Sequence, residues 1–196
     1  MQYNFFGYLI FAFVTSITPG PNNLTLLSYG KAYGFTDSGK VMLGIMLGFL
    51  TELILAGYGV AGIISANPNI EIVLKVVGSV WLFYLAFILK NMHTDTASVK
   101  SSKVGFVQML IQQFVNPKAW IMAITGAGAF MPQLGNIHLN VMVYALIFGI
   151  VGTPSMIIWL KMGDVIAKLF VSKQSNIILG YSLFLLMMVS IASIWL

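Results

Sequence analysis

The stretch that decides the fold is Thr18-Pro19-Gly20-Pro21-Asn22-Asn23, a polar, helix-breaking segment inside an apolar run. A second break, Gln112-Gln113-Phe114-Val115-Asn116-Pro117-Lys118, interrupts an apolar run at the corresponding place in the second half of the chain. Lipid offers no hydrogen-bond partners, so non-helical backbone at membrane depth is tolerated only where it is buried in protein or lines a wet cavity. Paired interruptions of this kind indicate the binding site of a transporter.

The composition is that of a membrane protein. The chain has 196 residues, of which 59% are hydrophobic and 8% are charged, whereas soluble domains carry about 25% charged residues. All ten basic residues are lysines, and they are scattered rather than clustered, which argues against nucleic-acid binding. The chain contains no cysteine, so disulfides and thiol redox chemistry are excluded.

Six apolar segments are each long enough to cross a hydrocarbon core of roughly 30 Å at about 1.5 Å per residue. The sequence therefore predicts an all-α integral membrane protein with six transmembrane helices, of which helices 1 and 4 are broken at mid-membrane. The segments cover residues 4–29, 40–64, 70–89, 104–130, 139–160 and 176–196.

The distribution of lysines predicts the orientation. Eight of the ten lie in or beside the connections that share one side of the membrane, and Lys75 lies alone on the other. The positive-inside rule makes the lysine-rich side cytoplasmic, so both termini are expected outside. The eight are Lys31, Lys40, Lys90, Lys100, Lys103, Lys161, Lys168 and Lys173.

The two halves of the chain resemble each other. Residues 1–90 form a first predicted three-helix repeat, 91–103 a cytoplasmic connecting loop, and 104–196 a second repeat. Pro19 matches Pro117 in this comparison, and Gly48 lies near the position of Gly149. After three spans the chain is on the opposite side of the membrane from where it began. The second repeat therefore enters the membrane from the opposite face, as in inverted-repeat transporters. The alternative is that any two apolar triplets look alike.

The first break offers both poles that a zwitterionic amino acid requires. Pro19 and Pro21 lack amide hydrogens, so they leave carbonyls of the preceding turn free. Gly20 permits unusual backbone angles, and Asn22 and Asn23 can cap the helix that follows. Free carbonyls suit an ammonium, and helix N-terminal amides suit a carboxylate. The alternative is a structural kink satisfied by neighbouring helices.

The second break repeats this logic. Pro117 frees the carbonyl of Gln113, and Gln112 and Asn116 add polar side chains. Lys118 is about halfway along its span, where a charge costs about 2.5–3.5 kcal/mol on insertion scales. It therefore needs a partner or a polar cavity.

Two roles are open for this lysine. Lys118 can hold a substrate carboxylate, or it can pair with Glu52, the one acidic residue deep inside an apolar span. A carboxylate in that position is also a candidate for carrying a proton during transport.

The other candidates concern motion and packing. Gly48 and the pair Thr153-Pro154 are hinge candidates, and Gly44 with Gly48 forms a GxxxG pattern typical of close helix contacts. With two histidines, five acidic residues and no cysteine, no metal site is predicted. No catalytic constellation is present in the sequence either, so an enzyme is not predicted.

These motifs resemble those of the LysE/RhtB family of bacterial amino-acid exporters over essentially the full length of the chain. The resemblance is carried by the 18–23 segment, by Asn116-Pro117-Lys118-Ala119 and by Gln113-Phe114-Val115 before it. Pro132-Gln133 and the series Trp159, Gly163, Leu169-Phe170 also fit. Within the family, the chain looks closest to the branch that exports cysteine and O-acetylserine.

The resemblance implies a bacterial inner-membrane exporter of small neutral or polar amino acids, of the cysteine/O-acetylserine or homoserine/threonine type. It also implies coupling to the proton gradient and a binding or gating role for the motif residues. The substrate is expected at the midplane, with the two halves rocking around it. Expected partners are an amino acid, protons and the lipid bilayer; no cofactor is expected, and a homo-oligomer is left open.

Two further functions remain open at this point. A divalent metal-ion exporter of a related six-helix type would need His, Asp or Cys clusters, which the sequence offers poorly. A passive channel or a structural membrane subunit is compatible with the same apolar pattern.

Overall fold

The computed structural model describes residues 4–59, 68–91, 104–169 and 172–192. These residues form eight helices and no strand, which confirms the predicted all-helical class. The helices are α1 Phe5–Ile17, α2 Pro21–Asp37, α3 Gly39–Gly57, α4 Pro68–Asn91, α5 Phe106–Gln113, α6 Pro117–Phe130, α7 Ile137–Leu169 and α8 Lys173–Ala192.

The interruptions lie where the sequence places them, at 18–20 between α1 and α2 and at 114–116 between α5 and α6. Pro21 opens α2 and Pro117 opens α6, each at the first helical turn. Proline is favoured there because its missing amide hydrogen is not needed and its φ suits a helix. The counterpart of Pro117 is therefore Pro21, and the match with Pro19 drawn from the sequence is wrong.

The predicted fifth span differs most from the structure. α7 runs from Ile137 to Leu169, 33 residues, and passes through Pro154 without ending. The hydroxyl of Thr153 donates to the carbonyl of Gly149 over 2.7 Å, which supplies a local hydrogen bond beside the proline. Pro154 therefore does not end the helix, and a hinge at Thr153-Pro154 stays a prediction.

Parts of the predicted topology lie outside the described residues. These are the end of the second span at 60–64, nearly all of the 91–103 connecting loop, including Lys100 and Lys103, and the end of the sixth span at 193–196. The inverted repeat and the orientation in the membrane therefore stay predictions.

Two apolar clusters hold the helices together, one on each side of the breaks. The first contains Tyr8 of α1, Ala123 of α6 and Phe148 of α7. The second contains Tyr29 of α2 and Met109 of α5. Since each break separates a helix of one cluster from a helix of the other, the irregular segments lie between two packed layers of side chains.

Among the described helices, those of the first half pack mainly on those of the second. α2 lies along α7, α3 contacts α5, α6 and α7, and α4 pairs with α8. Glycines permit the closest approaches, because a Cβ on Gly163 would collide with the carbonyl oxygen of Leu27, and one on Gly30 with that of Leu160.

The GxxxG pattern of α3 makes a similar contact. Gly44 lies against the backbone of Phe106, and Gly48 lies against Leu110 and Gln113 of α5. The predicted close helix contact is thus present. α3 continues through Gly48 without interruption, so a hinge there also stays a prediction.

Candidate functional site

Side chains satisfy the carbonyls that the first break frees. Asn23 Nδ2 donates to the carbonyls of Ser16 and Thr18 over 2.7 and 2.8 Å. Trp159 Nε1 donates to the carbonyl of Ile17 over 3.1 Å. The C-terminal end of α1 is therefore stabilised by partners that reach it from α2 and α7.

Lys118 reaches the same end of α1 from the second break. Its ammonium donates to the carbonyl and the hydroxyl of Thr18, both over 3.1 Å, and to the carbonyl of Pro19 over 3.0 Å. Three acceptors match the three N–H bonds of an ammonium, and the negative end of the α1 dipole favours a cation. Lys118 makes these bonds instead of pairing with Glu52, whose two carboxylate oxygens are buried without a hydrogen-bond partner in the described part of the chain.

Gly20 makes room for this lysine. A Cβ at this position would lie 2.7 Å from Lys118 Nζ and 2.8 Å from Lys118 Cδ. The backbone of Gly20 is extended, with φ of −175°, a conformation that any residue adopts. The requirement for glycine here is therefore space, and the unusual backbone angles expected from the sequence are not used.

Asn22 joins the two breaks. Its Nδ2 donates to Gln113 Oε1 over 2.9 Å, and Gln113 Nε2 donates back to Asn22 Oδ1 over 3.1 Å. Asn116 Nδ2 also donates to Asn22 Oδ1, over 3.1 Å. The helix-capping role expected for Asn22 and Asn23 is wrong, because α2 has no side-chain cap and both side chains point to other partners.

The N-termini of α2 and α6 face a common cavity of about 40 Å³. Its lining includes Pro21 and Asn22 from the first turn of α2, and Lys118 and Ala119 from the first turn of α6. Neither helix has a side-chain cap. The cavity has room for a few water molecules or a small polar group.

A larger cavity of about 410 Å³ lies on the other side of Lys118. Its walls are mostly apolar, including Leu24, Ile121 and Leu186, and its polar lining includes Thr18 at the end of α1 and Lys118. The two cavities share four lining residues, so Lys118 stands in the wall between them. The shared residues are Thr15, Gly20, Lys118 and Met122.

The structure brings the residues of both motifs together but leaves other candidates apart. Gln112 and Glu52 are 1% and 0% exposed, and neither lines a cavity of the site. Both side chains lack hydrogen-bond partners among the described residues. The hinge candidates Gly48, Thr153 and Pro154 are also absent from both linings.

Sequence reasoning missed the role of two tryptophans. Trp159 caps the first break, and Trp120 Nε1 donates to the carbonyl of Phe114 in the second break over 3.0 Å. Trp120 follows its break closely in sequence, which offers a weak signal. Trp159 is 142 residues from Ile17, and nothing local connects the two.

The family model of the LysE type translocator matches residues 13–193 of this chain. The chain belongs to the LysE type translocator family. The matched range contains both breaks, both capping tryptophans and all residues of the two cavities, and it confirms the family resemblance drawn from the motifs.

Curated relatives of this LysE family chain agree with the predicted branch. Proteins named "Cysteine/O-acetylserine efflux protein" from Salmonella paratyphi A and Salmonella typhimurium are 30% identical to it over 177 residues, which is 89% of this chain and 90% of theirs. The protein of that name from Escherichia coli K12 is 28% identical over the same length. No solved structure matches the chain significantly.

Proposed function

We propose that this LysE family member is an exporter, not an enzyme, and that it moves small neutral or polar amino acids of the cysteine/O-acetylserine or homoserine/threonine type. The family membership and the names of the relatives support export. The observation that carries the proposal is that two helix N-termini and the Lys118 ammonium surround one cavity.

This arrangement suits a carboxylate. The first turns of α2 and α6 direct the positive ends of two helix dipoles at the cavity, and anions bind at such positions. Discontinuous helices with N-termini facing an anionic substrate group are a recurrent transporter design. The small volume of the cavity fits the polar head of an amino acid, and the larger apolar cavity beside it is the place for a side chain.

The protein surface supports a position in the bilayer of the bacterial inner membrane. Large apolar side chains are strongly exposed, among them Phe6, Ile10 and Ile150 at 76, 65 and 71%. A soluble monomer rarely exposes so much contiguous apolar surface. Among the described residues, two helices are long and apolar enough to cross a membrane by themselves, Gly39–Gly57 and Ile137–Ile166. We extend this to six spans in two inverted repeats, with both termini outside.

We further propose alternating access to the cavity, supported by the position of the breaks. Both breaks adjoin it, so a change in either break exposes the substrate to one side. The transported amino acid, protons and the bilayer are the proposed partners.

Glu52 is the proposed proton carrier. On α3, Gly44 lies opposite Met109 of α5, and Gly48, one turn later, lies opposite Gln113. Glu52 is one further turn along α3, so we infer that it is level with the second break. On the helices packed against α3, the ionisable side chains nearest the breaks are engaged elsewhere: Lys118 on Thr18 and Pro19, and Tyr144 on the carbonyl of Ala123. Burying a carboxyl without a partner costs less free energy when the carboxyl is neutral than when it is charged. The Glu52 carboxyl is therefore available to take up and release a proton.

The alternatives gain little support from the site. Among the described residues no group of three or more His, Asp or Glu side chains is placed to hold a metal ion, so nothing there favours a metal-ion exporter. A passive channel differs from an exporter in its kinetics, because it shows neither saturation nor exchange.

Counterflow in proteoliposomes tests the proposal. Vesicles loaded with one unlabelled amino acid are assayed for uptake of the labelled form, with cysteine, O-acetylserine, threonine, homoserine and lysine as the panel. We expect saturable exchange of the small neutral members, its loss in Asn22→Leu, and its retention in Gly128→Ala, where an added Cβ meets nothing within 4 Å. Absence of exchange for every amino acid, in protein shown to be folded, would refute amino-acid transport.

A further inference from the structure

The ammonium of Lys118 occupies a group of three acceptors that suits an ammonium. The Thr18 and Pro19 carbonyls and the Thr18 hydroxyl lie 3.0–3.1 Å from Nζ at the negative end of α1. These are the acceptors that the α-ammonium of an amino acid requires. We propose that Lys118 is a tethered stand-in for the substrate: an α-amino acid binds by displacing the lysine from these acceptors, and its carboxylate then pairs with the displaced ammonium.

This inference rests on the proposed export of amino acids and adds a rule of selectivity to it. A displaced Lys118 leaves an ammonium at membrane depth without its three acceptors, which is unfavourable unless an anion replaces them. An amino acid brings that anion with it. An amine without a carboxylate would instead place a second positive charge beside an unpaired one, so the protein with Lys118 excludes amines.

The surroundings of the lysine allow the displacement. Lys118 stands in the wall shared by the two cavities, and the larger one offers about 410 Å³ into which the side chain can move. Gly20 presents no side chain against it, and Lys118 Nζ is the group a Cβ there would meet first. Moving the side chain also joins the cavities, so that one ligand can use the head-group cavity and the apolar cavity together.

The competing interpretation makes Lys118 a fixed structural link between α6 and the end of α1. The two interpretations differ in ligand selectivity rather than in stability. If the lysine is a stand-in, removing it leaves an empty site for an ammonium, and amines without a carboxylate should then bind. If it is a fixed link, removing it damages the site and creates no new ligand.

Thermal stabilisation of the purified full-length protein by added ligand measures binding even where transport is lost. The probes are serine and cysteine, and the amines ethanolamine and cysteamine, which lack the carboxylate. In Lys118→Met we expect the ratio of amine affinity to amino-acid affinity to rise by about tenfold or more, the equivalent of one lost charge-assisted interaction. The wild-type protein and Gly128→Ala should both bind the amino acids and reject the amines.

Gly20→Ala provides a second variant that keeps the charge of Lys118. Its Cβ would lie 2.7 Å from Nζ and 2.8 Å from Cδ of Lys118, so the lysine side chain must shift, which weakens its bonds to the three acceptors while its charge is kept. Displacing the lysine then costs less, while its ammonium still repels an amine and still attracts a carboxylate. We therefore expect tighter binding of serine and cysteine in this variant with amines still rejected, and this supports the stand-in also when Lys118→Met fails to fold. No gain in amino-acid affinity in Gly20→Ala, or unchanged rejection of amines in a folded Lys118→Met, overturns the proposal. Failure of the wild-type protein to exchange any amino acid is a separate result, which refutes the proposed function itself.

Discussion

The side-chain amides of Asn22 and Gln113 each donate a hydrogen bond to the other, over 2.9 and 3.1 Å. Asn22 belongs to the first turn of α2, and Gln113 is the last residue of α5. The pair therefore joins the start of one half-helix to the end of another, 91 residues apart in the chain. Any movement that separates the two breaks has to disrupt these two bonds.

Breaking this pair should reveal energetic coupling between the breaks. Replacing Asn22 by Leu leaves Gln113 Oε1 without its donor, and replacing Gln113 by Leu leaves Asn22 Nδ2 without its acceptor. Each change should cost about 1–3 kcal/mol in the free energy of unfolding. The double variant should cost less than the sum of the two, by about 0.6–1.7 kcal/mol. Denaturant titration in mixed micelles measures the cycle, with the exposed Gln174→Leu as control. Strict additivity would show that the two amides act independently.

Removing the indole donor at the first break should weaken that break selectively. Trp159→Phe keeps most of the aromatic packing but leaves the Ile17 carbonyl without its 3.1 Å donor. We expect about 1–3 kcal/mol of destabilisation together with slower exchange. The matched comparison is Trp120→Phe, which removes the donor to the Phe114 carbonyl in the second break. Equal stability and transport in Trp159→Phe and wild type would contradict a capping role.

If Glu52 carries the proton, removing its titratable group should abolish coupling to the pH gradient without abolishing exchange of amino acids. Glu52 is fully buried, and Gln has nearly its shape but no proton to give up. Glu52→Gln should therefore keep amino-acid counterflow while export driven by an imposed pH gradient disappears. Glu52→Asp is the control, because it retains a titratable carboxyl and should retain part of the response. A full response to the pH gradient in Glu52→Gln excludes this carboxyl as the carrier.

The closest helix crossing should tolerate no added methyl group. A Cβ on Gly163 collides with the carbonyl oxygen of Leu27, whereas one on Gly128 meets nothing within 4 Å. Gly163→Ala should lower the midpoint of thermal unfolding, because α2 and α7 must move apart. Gly128→Ala should leave it unchanged or raise it slightly, since alanine favours a helix by about 0.5–1 kcal/mol over glycine. Similar midpoints for the two variants would show that the crossing relaxes freely.

The absence of cysteine makes the topology directly testable. Single cysteines can be placed at Asp37, the last residue of α2, and at Gln133, between α6 and α7, where both native side chains are exposed. With the predicted orientation, a membrane-impermeant maleimide labels Gln133→Cys in intact cells and Asp37→Cys only after the membrane is opened. Labelling of both positions from the same side would refute the six-span arrangement.

Local chemistry explains which features the sequence could predict. The breaks follow from proline, which removes a helix hydrogen bond wherever it lies, and both were located correctly at 18–20 and 114–116. The partners of the freed groups depend on which helices meet. Lys118 and Thr18 are 100 residues apart, and no short-range pattern shows that the lysine bonds to the carbonyls rather than to Glu52. The match of Pro19 with Pro117 failed because similarity of composition does not fix which proline starts a helix.

The contact of Gly30 and Gly163 with the opposing backbones has a mechanical consequence. Carbonyl groups lie against glycines on both sides of this contact, so no layer of side chains separates α2 from α7. We therefore expect the two helices to move together as one rigid unit. α2 comes from the first half of the chain and α7 from the second, so such a movement would differ from a rocking of the two sequence halves, which stays a prediction. We expect the hinge at residues 18–20, where α1 can pivot relative to α2 and α7. The carbonyls that accept from Lys118 would move with α1.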